Sequence, residues 1–76
     1  MTAMMNRHAL ITITVNGLSE QVPAGSSLAE LIERFQEMDP DLIVEHNGRF
    51  VYPNQYPSVT VSPADRVEFV HPNFGG

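Results

Sequence analysis

Two Asn-Gly dipeptides, Asn16-Gly17 and Asn47-Gly48, constrain this chain more than any other feature. Asn and Gly both tolerate positive φ, and such a pair between alternating apolar stretches is the strongest short-range signal for a two-residue hairpin. Ahead of the first pair, Leu10-Ile11-Thr12-Ile13-Thr14-Val15 alternates with period two and is rich in β-branched residues. That pattern predicts a strand with Ile11, Ile13 and Val15 on one face and Thr12 and Thr14 on the other. Its partner runs from about Leu18 to Val22 and stops at Pro23. Around the second pair, Leu42 to His46 and Arg49 to Tyr52 predict another two strands. Alternation turns Val51 inward and leaves Phe50 and Tyr52 on the open sheet face.

One helix fits between the hairpins. Ser27-x-x-Glu30 is a capping box, in which each residue satisfies a backbone N–H of the other. Leu28, Leu31, Ile32 and Phe35 then recur at i, i+3, i+4 and i+7 and form one apolar stripe, with Glu30, Glu33, Arg34 and Glu37 off it. Asp39-Pro40 marks the expected end, because a residue before proline avoids the α region. Pro53 to Pro57 reads as a loop anchored by Tyr56, and Val59-Thr60-Val61 as a brief extended stretch. Ser62-Pro63-Ala64-Asp65 reads as a turn, and Arg66 to His71 as the last strand with Val67 and Phe69 inward. A single helix covers one face of one sheet, which defines an α+β two-layer domain. The expected architecture is a β-grasp (ubiquitin-like) fold: a mixed sheet of four to five strands, first and last strands central. The expected division is a disordered leader over 1–8, the β-grasp domain over 9–71, and a flexible tail over 72–76 ending in Gly-Gly.

Composition narrows the chemistry. The chain has 76 residues, and a domain of this size buries only about 60% of the surface its unfolded chain exposes. An internal active-site cleft is hard to build on so little chain, so a reactive group supplied to a larger partner is the better expectation. With 0 cysteines, disulfides, thiolate zinc sites and iron–sulfur clusters are excluded. The longest apolar runs, such as Leu42-Ile43-Val44, are far short of a membrane span, and Met1 to His8 has no apolar stretch of a signal peptide. A cytoplasmic protein is expected. Net charge is −5, from 9 acidic against 4 basic residues. Arg7, Arg34, Arg49 and Arg66 are scattered, so no basic footprint for nucleic acid exists. The acidic balance points instead to a protein partner with a basic docking face. His8, His46 and His71 lack close ligand spacing, so surface histidines are expected rather than a metal site. Asp65 and Glu68 read as turn and solvent-face residues rather than catalytic carboxylates.

From Ile11 to Gly76 the chain resembles the ThiS sulfur carriers of thiamine biosynthesis and, more distantly, the small subunit of molybdopterin synthase. The resemblance rests on Ile13-Thr14-Val15-Asn16-Gly17, on Val22-Pro23-Ala24-Gly25-Ser26-Ser27-Leu28-Ala29-Glu30-Leu31-Ile32, and on Val44-Glu45-His46-Asn47-Gly48. Asp65-Arg66-Val67-Glu68-Phe69-Val70 and the terminal Gly75-Gly76 complete it. Two stretches depart from the thiamine pattern. Val51-Tyr52-Pro53 stands where those carriers usually read Val-Pro-Arg, and Pro72 before the end is closer to the molybdopterin subunit.

The resemblance implies a protein cosubstrate rather than an enzyme. An adenylating (activating) enzyme would use ATP to activate the Gly76 carboxylate, and a sulfur-donor enzyme carrying a persulfide would convert it to a thiocarboxylate. Thiazole synthase or another sulfur-accepting synthase would consume it, and no cofactor would be bound by the chain itself. Sulfur supply for molybdopterin or sulfur amino acids, or a ubiquitin-like modifier or docking role, are the alternatives. Glycine suits the reacting end because, lacking Cβ, it adds no width in a narrow channel. The expected site is therefore Gly76 with Gly75. The expected partner-binding residues are Phe74, Pro72, Val70, Tyr52 and Phe50. Phe74 would anchor the tail, and Pro72 would lower the cost of ordering it.

Overall fold

The computed structural model describes residues 9–72. It contains β1 (Leu10–Val15), β2 (Leu18–Pro23), α1 (Leu28–Arg34), β3 (Ile43–His46), β4 (Arg49–Val51), a 3₁₀ turn over Pro53–Gln55, and β5 (Arg66–Val70). The five strands form one sheet in the order β2-β1-β5-β3-β4. β1 and β5 run parallel at its centre, and every other neighbour pair is antiparallel. This is the expected β-grasp, with α1 across one face.

Both Asn-Gly pairs make their turns with positive φ at both residues, 51° and 83° at the first and 53° and 82° at the second. That is the twist a two-residue hairpin needs. The two asparagines also do something no local pattern announces. Asn16 Oδ1 accepts from the Phe69 N–H at 2.7 Å, and Asn47 Oδ1 accepts from the Arg66 N–H at 2.8 Å. Each hairpin turn thereby grips the central strand β5.

The helix start follows the capping box: Glu30 N–H donates to Ser27 Oγ at 3.1 Å and Ser27 N–H to Glu30 Oε1 at 2.9 Å. The next two orphan N–H groups, of Leu28 and Ala29, donate to the Val59 and Tyr56 carbonyls at 2.8 and 3.0 Å. The stretch from Tyr56 to Val59 thus closes the helix end from outside. The helix stop differs from expectation. It ends at Arg34, well before Asp39-Pro40. Gln36 takes φ 59°, its N–H donates to the Glu33 carbonyl, and Glu37 N–H donates to that of Ile32 at 2.8 Å. Those two bonds are a Schellman ending, here built on Gln rather than Gly. Two smaller shifts accompany it. Leu42 lies in the core but precedes β3, and β5 ends at Val70 rather than His71.

The core lies between α1 and the sheet. Ile13, Val22, Leu28, Leu31, Val44 and Val67 are essentially sealed from solvent, and Val15, Leu42, Val51, Val61 and Phe69 are buried with them. Phe35, the helix C-cap, is half-buried and meets the Phe69 ring at a 6.3 Å centroid distance. Tyr56 packs against this core. Among the described residues the buried core lies on the helix side, and the opposite sheet face is not covered by the helix.

Candidate functional site

Register places that open face residue by residue. Val70 is opposite Ile43, Glu68 opposite Glu45, and Glu45 opposite Phe50. Directly opposed residues point to the same side, and Val44, Val67 and Phe69, one position away, are buried on the helix side. Phe50, Glu45, Ile43, Glu68 and Val70 therefore share the face that α1 does not cover. Tyr52 follows β4, and its ring meets that of Phe50 edge-on at 4.7 Å and 89°. Phe50 is 51% exposed, Tyr52 60% and Val70 41%. Phe50, Tyr52 and Val70, three of the five residues expected at a partner surface, thus lie together on one face, and Val70 is the last residue of the strand that leads to the C-terminus. Pro72 is half-buried. Phe74, Gly75 and Gly76, like the expected leader over 1–8, lie outside the described residues.

The chain leaves β5 past a polar clamp that the sequence reading missed. His71 Nδ1 is 3.0 Å from Asp39 Oδ2, and Nε2 bonds Glu37 Oε1. Hydrogen bonding to Asp39 and then to Glu37 raises the imidazole above its ordinary 6.5. The Asp41 N–H, at 2.8 Å, and next the His71 ring hold the Asp39 carboxyl below its usual value. Opposite ring nitrogens face the two carboxylates, the arrangement of an imidazolium donating to both.

The other described histidine is also structural. His46 Nε2 is 2.7 Å from Asp65 Oδ2, which accepts the Ser62 N–H at 2.8 Å, while Asp65 Oδ1 accepts from Asn47 at 3.1 Å. Partial burial pushes the Asp65 carboxyl up, but the Ser62 N–H, His46 and Asn47 together outweigh it and hold it low. Asp65 is a turn hub, as expected, and Glu68 faces solvent. Surface histidines were expected, and both described ones are in addition bound to carboxylates. No local spacing could have shown this, since their partners lie 19 to 34 residues away.

Among the described residues, a mixed sheet with parallel central strands, one crossing helix and a face that the helix leaves uncovered beside the strand leading to the C-terminus defines the β-grasp class of ubiquitin-like proteins. Within that class the chain belongs to the ThiS family, whose model matches residues 8–76. Among solved structures, the thiamine biosynthesis protein ThiS from Geobacter metallireducens is similar at a TM-score of 0.77 and 28% identity. The similarity covers 87% of this chain and 100% of that one. No curated protein matches the sequence. A ThiS-type protein is a small sulfur carrier rather than a catalyst, and membership implies an activating enzyme and a sulfur-accepting synthase as its classes of partner. Among the described residues, no helix is long and apolar enough to cross a membrane.

Proposed function

We propose that this chain carries sulfur on its C-terminal glycine for thiazole formation in thiamine biosynthesis. One observation carries the reading: the family match extends to residue 76 and so includes Gly75-Gly76. Similarity to a thiamine biosynthesis protein favours thiazole over molybdopterin or sulfur amino acids as the destination.

In this reading the Gly76 carboxylate attacks the α-phosphorus of ATP on the activating enzyme and releases pyrophosphate. The terminal sulfur of a donor persulfide attacks the acyl carbon, and AMP leaves. A thiol then cleaves the S–S bond of the acyl disulfide and frees a C-terminal thiocarboxylate, the nucleophile that the synthase consumes. ATP and the persulfide belong to the partners, and the expected setting is the cytoplasm. The roles assigned to this chain are narrower. Gly75 and Gly76 supply an end slim enough for the adenylation channel, and Phe74 anchors it. Ordering the tail costs roughly 1–2 kcal/mol per residue, and Pro72 reduces that cost by restricting the free chain. Docking through Phe50, Tyr52 and Val70 offsets the remainder.

Deleting Gly76 tests the reading, because the shortened carboxylate stops one residue from the phosphate while every core residue is retained. ATP–pyrophosphate exchange by the activating enzyme should be lost and the melting temperature unchanged. Full exchange with the truncated chain would overturn the assignment.

A further inference from the structure

The free sheet face carries a feature that the sheet itself does not need. Glu45 on β3 and Glu68 on β5 are directly opposed across an antiparallel pair. Like charges directly opposite one another in a sheet are destabilising, because their side chains share one face at short range. No cation in the described residues relieves them. The ion pairs found there are those of His46 and His71, on the helix side and at the strand end. Arg66 shares the face, but its guanidinium lies by the Asn47-Gly48 turn, with Nη2 3.8 Å from where a Cβ on Gly48 would sit. Arg49 is opposite His46, in the register of buried Val67. Phe50 is opposite Glu45 on the outer side, so the carboxylate pair is bordered by exposed aromatic surface.

A planar guanidinium meets this arrangement best. It offers several N–H donors in a fixed fork, can serve two carboxylates at once, and is weakly hydrated enough to sit among aromatic rings. A second copy of this chain is a poor occupant, since it would add two more carboxylates to the two already opposed. We propose that Glu45 and Glu68 jointly receive one arginine of the activating enzyme, seated between β3 and β5 beside Phe50. This rests on the sulfur-carrier reading and deepens it. The aromatic pair supplies contact area, and the carboxylate pair supplies register and partner choice, with the unfavourable pairing in the free protein relieved on docking.

The test is the Glu45→Gln/Glu68→Gln variant in ATP–pyrophosphate exchange with the activating enzyme at low and high salt, beside melting curves. The variant should melt at or above the wild-type temperature, because the repulsion is gone. Its KM should rise by about tenfold or more with kcat retained, and the increase of KM with salt seen for wild type should be largely flattened. Glu68→Lys, which turns the opposed pair attractive, should melt no lower than wild type and dock worse still. A variant with wild-type KM and wild-type salt dependence overturns the inference, as does one that melts lower than wild type. Self-association of the wild type through this face, seen by sedimentation, also overturns it. Exchange by the wild type separates the two levels. An inactive wild type sinks the carrier reading and this inference together, whereas an active wild type with an unaffected variant sinks this inference alone.

Discussion

At the scale of single residues, the asparagines and His71 mark where sequence reading ends. Asn16 and Asn47 were legible as turn formers because their chemistry is local: each is followed by Gly and flanked by alternating strands. Their second task, accepting the N–H groups of Phe69 and Arg66, spans 53 and 19 residues and leaves no local trace. His71 is the same case. It holds Asp39 and Glu37 across 32 and 34 residues at the point where the chain leaves the sheet. A histidine whose folded pKa is raised contributes stability that is fully present below the unfolded value of 6.5. That contribution is lost as pH rises through the higher folded value. Titration of the His71 ring protons by NMR should therefore give a midpoint above 6.5. In a Glu37→Gln/Asp39→Asn variant the midpoint should fall back toward it. A wild-type midpoint at or below the ordinary value would mean that the clamp does not form in solution.

At the scale of elements, starts were easier to read than stops. The beginning of α1 is specified by Ser27 and Glu30, two residues in register with the first turn and the apolar stripe behind them. Its end is specified by tertiary packing. Phe35 is drawn onto Phe69, which leaves Gln36 to turn the chain at φ 59° without the glycine that usually advertises such a turn. An L-residue in the left-handed region costs roughly 1–2 kcal/mol. Glycine avoids that cost but loses more freedom on folding, by roughly 0.5–1 kcal/mol. Gln36→Gly should therefore stabilise the domain by about 0.5–1 kcal/mol in urea unfolding. A loss of stability instead would show that the Gln36 side chain contributes contacts that outweigh its backbone strain. Pro53–Gln55 repeats the lesson on a smaller scale. A stretch read as loop winds into one 3₁₀ turn, and Tyr56 just after it hands its carbonyl to the Ala29 N–H at the helix start.

At the scale of the molecule, topology was legible because few arrangements satisfy the pattern. Two hairpins, one amphipathic helix and one more alternating strand leave a single sheet with one covered face, and the strands with the most buried residues take its centre. The uncovered face was legible only in part. Alternation turned Phe50 and Tyr52 outward, but the opposition of Glu45 to Glu68 needs the β3–β5 register, which no local signal encodes. Absence of cysteine, first a limit on what the chain can do, becomes an advantage in testing what it does. With 0 cysteines, a thiocarboxylate would be the one strongly nucleophilic sulfur in the molecule. Protein taken from its native cells, treated with a thiol-alkylating reagent and measured by intact and C-terminal peptide mass, addresses the central claim directly. One alkyl adduct is expected on the peptide ending at Gly76, together with the mass gain of one oxygen replaced by sulfur. An unalkylated carboxylate throughout, or Gly76 joined by an isopeptide bond to another protein, would contradict it.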